Sequence, residues 1–424
     1  MKPPFSNFGD KFSRRNAVVM MMDDIYSARM QGNALMLAGG NPPRIDHALS
    51  FLRDTLAETS HWSLDQLAYS FGNYDSPIGS AECRKNLASF LNQYYSSGLT
   101  ADHIAIINSS QLALFMLVNM FCGKRHSMPP LNAVLPVGPD YIGYRDLFSD
   151  DFDYRFVAPI ISYNGPVFEY SIDQAALLMC LEDSPGCMII SNPNNPTGNI
   201  LSAEDLHFLQ SAASNCNIPL ILDGAYADPF PGLLYNKDRR QPITFTNNTI
   251  ITLSLSKLGL PGLRTGIVIA SPETIDALRS AAAVISLSPT ALGQHVLSRL
   301  IADNSVARIV SDGVLPTYEI KKDLVEHKMR SISDKYPIKY HTCHGAMFFW
   351  VLLEESRISA VEFCERMRLR NVLLLPGEHF CFGRGSEAFI HRSTTVRITF
   401  TGDSETLSNA MNYFENELSL LYDC

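Results

Sequence analysis

The stretch that decides the fold is SLSKLGLPGLRTG, Ser254 to Gly266, which follows directly on the apolar run NTIITL, 248–253. A buried strand ends there, and at its mouth stand Lys257, just after Ser254 and Ser256, and, seven residues on, Arg264 behind Pro261 and Gly262. A cation at the end of a core strand is costly unless it meets a ligand or a counter-charge.

The same grammar recurs outward from this segment. HIAIINSS (103–110), NAVLPVGPDY (132–141), GCMIISNP (186–193), IPLILDGAY (218–226) and GIVIA (266–270) are short Val/Ile/Leu runs that end in small or polar residues. Helical patterns separate them, such as SAEDLHFLQSAASNC with Ser202 as its expected N-cap. Continuous apolar strands alternating with helices give an α/β fold with a mostly parallel sheet covered on both faces. Ligands in such sheets sit outside the carboxyl ends of the strands. The polar residues expected there are Ser109, Ser110, Tyr141, Asn195, Asp223, Tyr226, Ser254, Ser256, Lys257 and Arg264.

The chain has 424 residues, 46% hydrophobic and 18% charged, which describes an ordinary globular protein. A net charge of -9 argues against a nucleic-acid or anionic-membrane partner. Nine scattered cysteines without a CxxC pair point to free thiols in a reducing compartment, and the N-terminus lacks the apolar core of a signal peptide, so a cytoplasmic protein is expected. No metal site is expected. The last third changes character: a long helical segment interrupted near Pro316, then GAMFFWVLL, NVLLLPG, TTVRITF and a terminal helix capped near Asp403. The expected organisation is an N-terminal arm and part of the small domain over residues 1–45, a large ligand-binding domain over 46–300, and a smaller α+β domain over 301–424.

The candidate residues divide by chemistry. Lys257 is either a solvated surface lysine or, buried at the strand end near Arg264, an ammonium disfavoured enough to act as nucleophile and base. Asp223 at the end of a strand needs a cation, either a salt-bridge partner or a protonated ring nitrogen, unless it simply caps a helix. Tyr226 reaches the same ligand or only packs. SNPNNPTGN, 191–199, is a stiff turn that either connects elements or fixes the Asn195 side chain. The backbone amides of Ser109, Ser110 and Gln111 open a helix and offer a phosphate site, which Arg264 extends. Arg397, the one charge in TTVRITF, either faces solvent on an edge strand or clamps a carboxylate, with Gly40 in a turn nearby. A lysine that traps an aldehyde, a carboxylate for a ring nitrogen, a stacking aromatic, a phosphate cradle and a carboxylate-binding arginine together suit pyridoxal 5'-phosphate (PLP) with an amino acid.

SNPNNPTG, DGAY and SLSKLGLPGLRTG, in this order and spacing, resemble the class I/II aminotransferases of PLP fold type I. FGDKFSRR, GGNP, NYDSPIG and PDYIGY look like the valine–pyruvate branch of bacteria, over nearly the whole chain. The resemblance implies a large domain with a mostly parallel, seven-stranded-type sheet between helices plus a smaller α+β domain. It implies that Lys257 bonds the cofactor and shuttles the proton, and that Asp223 pairs with the pyridine nitrogen. Tyr226 and Asn195 would meet the ring oxygen, and Tyr141 would stack on the ring. Ser109, Ser110, Gln111, Ser254 and Arg264 would hold the phosphate, and Arg397 with Gly40 and Asn195 the substrate. Tyr74 would reach the neighbouring subunit's phosphate, which implies a homodimer. The expected activity moves an amino group from a small apolar amino acid, valine, to pyruvate. A PLP-dependent lyase or a specialised biosynthetic transaminase on the same scaffold is the alternative. NSSQ, 108–111, stands where this branch has an NGSQ-like run, and ISLSPTALG, 285–293, carries no arginine for a second substrate carboxylate.

Overall fold

The Val- and Ile-rich runs form strands because both of their faces are covered. Ile104–Ile107, Leu220–Asp223, Thr249–Ser254 and Gly266–Ile269 are buried at every residue in the computed structural model. It describes residues 4–423 apart from 15, 32–33, 96–97, 127, 149–151, 237 and 239–242. Across the large sheet the order is Ile104–Ile107, Gly266–Ile269, Thr249–Ser254, Leu220–Asp223, Pro185–Ser191 and Met128–Leu135, the last paired with both Gly123–Arg125 and Tyr154–Phe156. Only Gly266–Ile269 and Gly123–Arg125 run antiparallel to their neighbours; the rest pair in parallel. The mostly parallel sheet is thus present, and the three-residue strand Gly123–Arg125 adds a hairpin arm that makes eight strands among the described residues.

This topology sets up the site. Because Gly266–Ile269 is antiparallel on both sides, Ile104–Ile107 points the same way as the parallel strands. The carboxyl ends of Ile104–Ile107, Thr249–Ser254, Leu220–Asp223 and Pro185–Ser191 therefore open on one edge, which is where ligands bind in such sheets.

A second sheet has the order Leu375–Pro376, Thr395–Thr399, Phe348–Leu353, Ile338–His341, Val167–Ser171 and Ile160–Asn164. Its last two strands come from the middle of the chain and join through a parallel pairing, Tyr340 opposite Val167. Ile160–Asn164 is exposed or half-buried throughout, so no apolar run marks it in the sequence. Leu35–Met36 pairs in parallel with Val372–Leu373, which fastens the N-terminal arm to this second unit. The interruption expected near Pro316 takes the form of one π-helical turn, Val310–Val314, between the helices Ser305–Ile309 and Leu315–Ser333. A wider turn there absorbs a proline that has no N–H to give.

The helix starts follow local chemistry. Ser202 caps Ala203–Asn215 in a reciprocal box with Asp205, and Asp403 caps Ser404–Tyr422 through the Thr406 amide at 2.8 Å. The eight cysteines within the described residues are free thiols; Cys424 lies outside those residues. Among the described residues, no helix is long and apolar enough to cross a membrane.

Candidate active site

One cavity of about 380 Å³ opens at the carboxyl edge of the large sheet. Its lining brings together Gly40, Ser109, Ser110, Gln111, Tyr141, Asn195, Asp223, Tyr226, Ser254, Ser256, Lys257, Arg264 and Arg397, residues drawn from segments far apart in the chain. Tyr74 is not among them: it stands on the outer surface with 80% of its area exposed.

Lys257 and Asp223 form the floor. The strand Thr249–Ser254 runs into a 3-10 turn, Leu255–Leu258, that turns Lys257 back over the sheet edge. Its Nζ donates to the Gly40 carbonyl at 2.5 Å and lies 5.7 Å from the Tyr226 ring centroid. Burial, then the Arg397 charge, lowers the ammonium to about 8 from 10.5, with Asp223 opposing and Arg264 adding a smaller push. Burial raises the Asp223 carboxyl, while hydrogen bonds from Tyr144, Ala225 and Thr252 and the charge of Lys257 draw it down. Tyr144 Oη donates to Asp223 Oδ2 at 2.9 Å, and the Ala225 amide to Oδ1 at 3.2 Å. Three donors on one carboxylate fix its orientation toward the cavity.

The anion-binding side is built from backbone. Ser109 caps the helix Ser110–Phe121, its Oγ accepting from the Leu112 amide at 3.1 Å. The following amides therefore face the cavity at the positive end of the helix. The turn presses on the strand beside it: a Cβ at Gly266 would sit 2.4 Å from Ser109 C and Ser110 N. Gly266 is required for this close approach. Ser109 itself has φ 157° and ψ 158°, a region that glycine tolerates and serine does not. The Cβ at this position thus carries backbone strain into the turn. Ser254 Oγ donates to Ser256 Oγ at 3.0 Å and accepts from the Ser256 amide, so both serines belong to one polar corner. Arg264 is exposed at the rim, in left-handed conformation with φ 50°, after the 3-10 turn Pro261–Leu263.

Arg397 forms the opposite wall. Its strand, Thr395–Thr399, lies between Leu375–Pro376 and Phe348–Leu353, and the side chain is 2% exposed, so the solvent-facing edge position does not occur. The guanidinium lies over Phe348 and Phe380, 4.2 and 4.8 Å from their centroids. Nη1 donates to Asn195 Oδ1 at 2.8 Å and Nη2 to the Ala38 carbonyl at 2.6 Å, whereas the buried Nε has no hydrogen-bond partner among the described residues. A buried guanidinium without a carboxylate, held in place by two neutral acceptors, suits an anion arriving from the cavity.

Several participants carry no sequence signal of their role. Tyr144, the last residue of PDYIGY, is one, and its bond to Asp223 follows only from tertiary packing. Ser191 lines the cavity and Asp140 lies behind it, with Ser191 Oγ 2.5 Å from Asp140 Oδ1. Val18, Met21, Met22 and Ile25, from the helix Ala17–Gln31, give the cavity an apolar wall. A helical spacing of 18, 21, 22 and 25 carries that signal.

The family model for aminotransferase class I and II matches residues 54–414. The chain belongs to the class I and II aminotransferases. It is 30% identical to the valine–pyruvate aminotransferase of Escherichia coli K12 over 418 residues, 98% of each chain. Among solved structures it is similar to a Psychrobacter arcticum 273-4 protein described as an amino-acid aminotransferase, with TM-score 0.94, 31% identity and both chains covered in full. It is also similar to the valine–pyruvate aminotransferase of Salmonella typhimurium LT2, with TM-score 0.82 and 28% identity, over 95% of this chain and 98% of that one. Aminotransferases of this fold type share the two-part α/β architecture described above, and the chain is an enzyme of that kind.

Proposed function

We propose that this aminotransferase carries PLP in the cavity and moves the amino group of a small apolar amino acid, valine, to pyruvate, giving a 2-oxo acid and alanine. The observation that carries the reading is the convergence of a lysine lowered to about 8, a carboxylate held by three donors, and an arginine with an unpartnered buried Nε on one cavity. The residues fit the group. The Ser109–Gln111 amides with Ser254 and Arg264 suit its phosphate, Asp223 its ring nitrogen, Tyr226 and Asn195 its ring oxygen, and Tyr141 its ring face.

When bound, PLP supplies an aldehyde that accepts amines and a ring that withdraws electrons from the substrate's Cα. The chain's own residues do the rest. Lys257 would hold the aldehyde, and its neutral Nζ would take the substrate's Cα proton and later return it. Asp223 would keep a proton on the ring nitrogen. Arg397 receives the substrate carboxylate and so orients the Cα–H toward Lys257. Val18, Met21 and Ile25 favour an apolar side chain, and among the described residues the cations that line the cavity are Lys257, Arg264 and Arg397, which supports a monocarboxylic donor. The named function of the Escherichia coli relative supports valine and pyruvate. Net acidity and free thiols support a cytoplasmic enzyme, and the exposed Tyr74 supports a homodimer in which that residue completes the partner's site.

A donor panel with pyruvate as acceptor tests this. Valine and similar apolar amino acids should form alanine, with aspartate and glutamate far slower. A preference for aspartate or glutamate would overturn the side-chain assignment, and no alanine from any donor would overturn the function.

A further inference from the structure

Behind the cavity lies a carboxyl group that the reaction does not use. Asp140 is fully buried, and among the described residues its hydrogen-bond donors are Tyr141 and Ser191, neither of them a cation. Its oxygens are occupied by three donors. The Tyr141 amide reaches Oδ1 at 2.7 Å, the Ser191 amide reaches Oδ2 at 3.1 Å, and Ser191 Oγ lies 2.5 Å from Oδ1. Ser191 Oγ in turn accepts from the Asn195 amide at 3.0 Å and from Asn194 Nδ2 at 3.2 Å. A hydroxyl oxygen has two lone pairs and one proton. With both lone pairs engaged, the Ser191 proton has to go to Asp140. Asp140 then accepts three hydrogen bonds, an arrangement that suits a carboxylate. Burial pushes this carboxyl up to about 8, against the bonds from Ser191 and Tyr141, and nearby Asp223 adds to the rise. A buried carboxylate next to another is expensive to keep, and the groups it joins give it a purpose.

We infer that Asp140 is a positioning residue for the substrate carboxylate. Through Ser191 it fixes the Asn194–Asn195 turn whose Asn195 Oδ1 holds Arg397, and through the adjoining amide it fixes Tyr141 on the other side of the cavity. The chain of bonds runs Asp140, Ser191 Oγ, Asn195 N, then Asn195 Oδ1 to Arg397 Nη1 at 2.8 Å. Asn194 braces the same turn by accepting from the Thr197 amide at 3.1 Å and Oγ1 at 2.6 Å. The sequence positions explain the arrangement: Asp140 follows one strand of the large sheet and Ser191 ends the next, so the carboxylate bridges two neighbouring strand exits. The inference rests on the reading of Arg397 as the carboxylate site.

The experiment measures binding of isovalerate, an apolar monocarboxylate that cannot react, to the holoenzyme through the change in cofactor absorbance, with melting temperature recorded in parallel. Asp140→Asn turns one acceptor into an N–H2 group facing the Ser191 amide, and Ser191→Ala removes the relay. Each should weaken isovalerate by about tenfold to a hundredfold, as small misplacements of a binding group do. KM for amino and keto acid should rise more than kcat falls, and the double variant should be no worse than the weaker single one. Wild-type isovalerate affinity with only a lowered melting temperature would make Asp140 a brace for the fold and overturn the inference, as would additive losses. If Asp140→Asn fails to fold, Ser191→Ala decides alone: weakened isovalerate with the cofactor still bound supports the inference, and wild-type affinity overturns it. A wild-type holoenzyme that binds no isovalerate would remove Arg397 as the carboxylate site, and this inference with it; one that binds isovalerate while the variants match it would remove the inference alone.

Discussion

At the scale of single residues the account turns on Lys257. Its burial and the Arg397 charge make the neutral amine available near pH 8, and the sign is testable. The amine is protonated below that value and free above it. Cofactor capture by the apoprotein should therefore speed up as pH rises through about 8 and level off well below 10.5, the ordinary lysine value. Lys257→Ala should lower transamination by about a thousandfold or more, the scale of a positioned acid–base group; stopped assays with valine and pyruvate measure it. Ser109 permits a second prediction. Its φ of 157° costs about 1–3 kcal/mol for a residue with a Cβ. Glycine loses only a few tenths of a kcal/mol as a cap and roughly 0.5–1 kcal/mol in chain entropy. Ser109→Gly should therefore raise apoprotein stability, by about 1 kcal/mol at the middle of these ranges, in denaturant titration; a clear loss of stability would show that the Ser109 hydroxyl matters more than the strain.

At the scale of elements, what the sequence reveals follows how local the cause is. Strands buried on both faces announce themselves as apolar runs, so the large sheet and its carboxyl edge were legible, and with them Lys257, Asp223 and Ser109. The hairpin Ile160–Asn164 and Val167–Ser171 was not, because its membership of the second sheet depends on a pairing with Ile338–His341, more than a hundred residues away. Tyr144, Asp140 and Ser191 were missed for the same reason: each acts through a partner that only the fold supplies. The helix Ala17–Gln31 is intermediate. Its 18, 21, 22, 25 spacing is visible, but that this face lines the cavity is a tertiary fact. Met21→Ala should therefore raise KM for valine by about tenfold relative to alanine, a size consistent with emptying part of an apolar pocket. Equal changes for both donors would show that the helix does not contact the donor's side chain.

At the scale of the whole molecule, Leu64, Tyr69 and Tyr74 stand 80–83% exposed on and just after the helix Leu64–Phe71, and Val284 is 88% exposed. Isolated chains seldom leave so many large apolar groups in water without a partner surface. In the proposed homodimer, Tyr74→Phe should weaken cofactor binding by about tenfold, the worth of one hydrogen bond to a charged group. Mixed dimers settle where Tyr74 acts. Within each mixed dimer of Tyr74→Phe and Lys257→Ala chains, the intact Lys257 should sit with an intact Tyr74 from the other chain and retain full cofactor affinity. A mixed dimer as weak as the Tyr74→Phe homodimer would place the tyrosine in its own chain's site. The central claim, amino transfer in the Lys257–Asp223–Arg397 cavity, is tested most directly by one half-reaction with [15N]valine and no keto acid. The account predicts one equivalent of 15N-labelled pyridoxamine phosphate on the enzyme, and [15N]alanine once pyruvate is added. Release of ammonia while the cofactor keeps its aldehyde would contradict it.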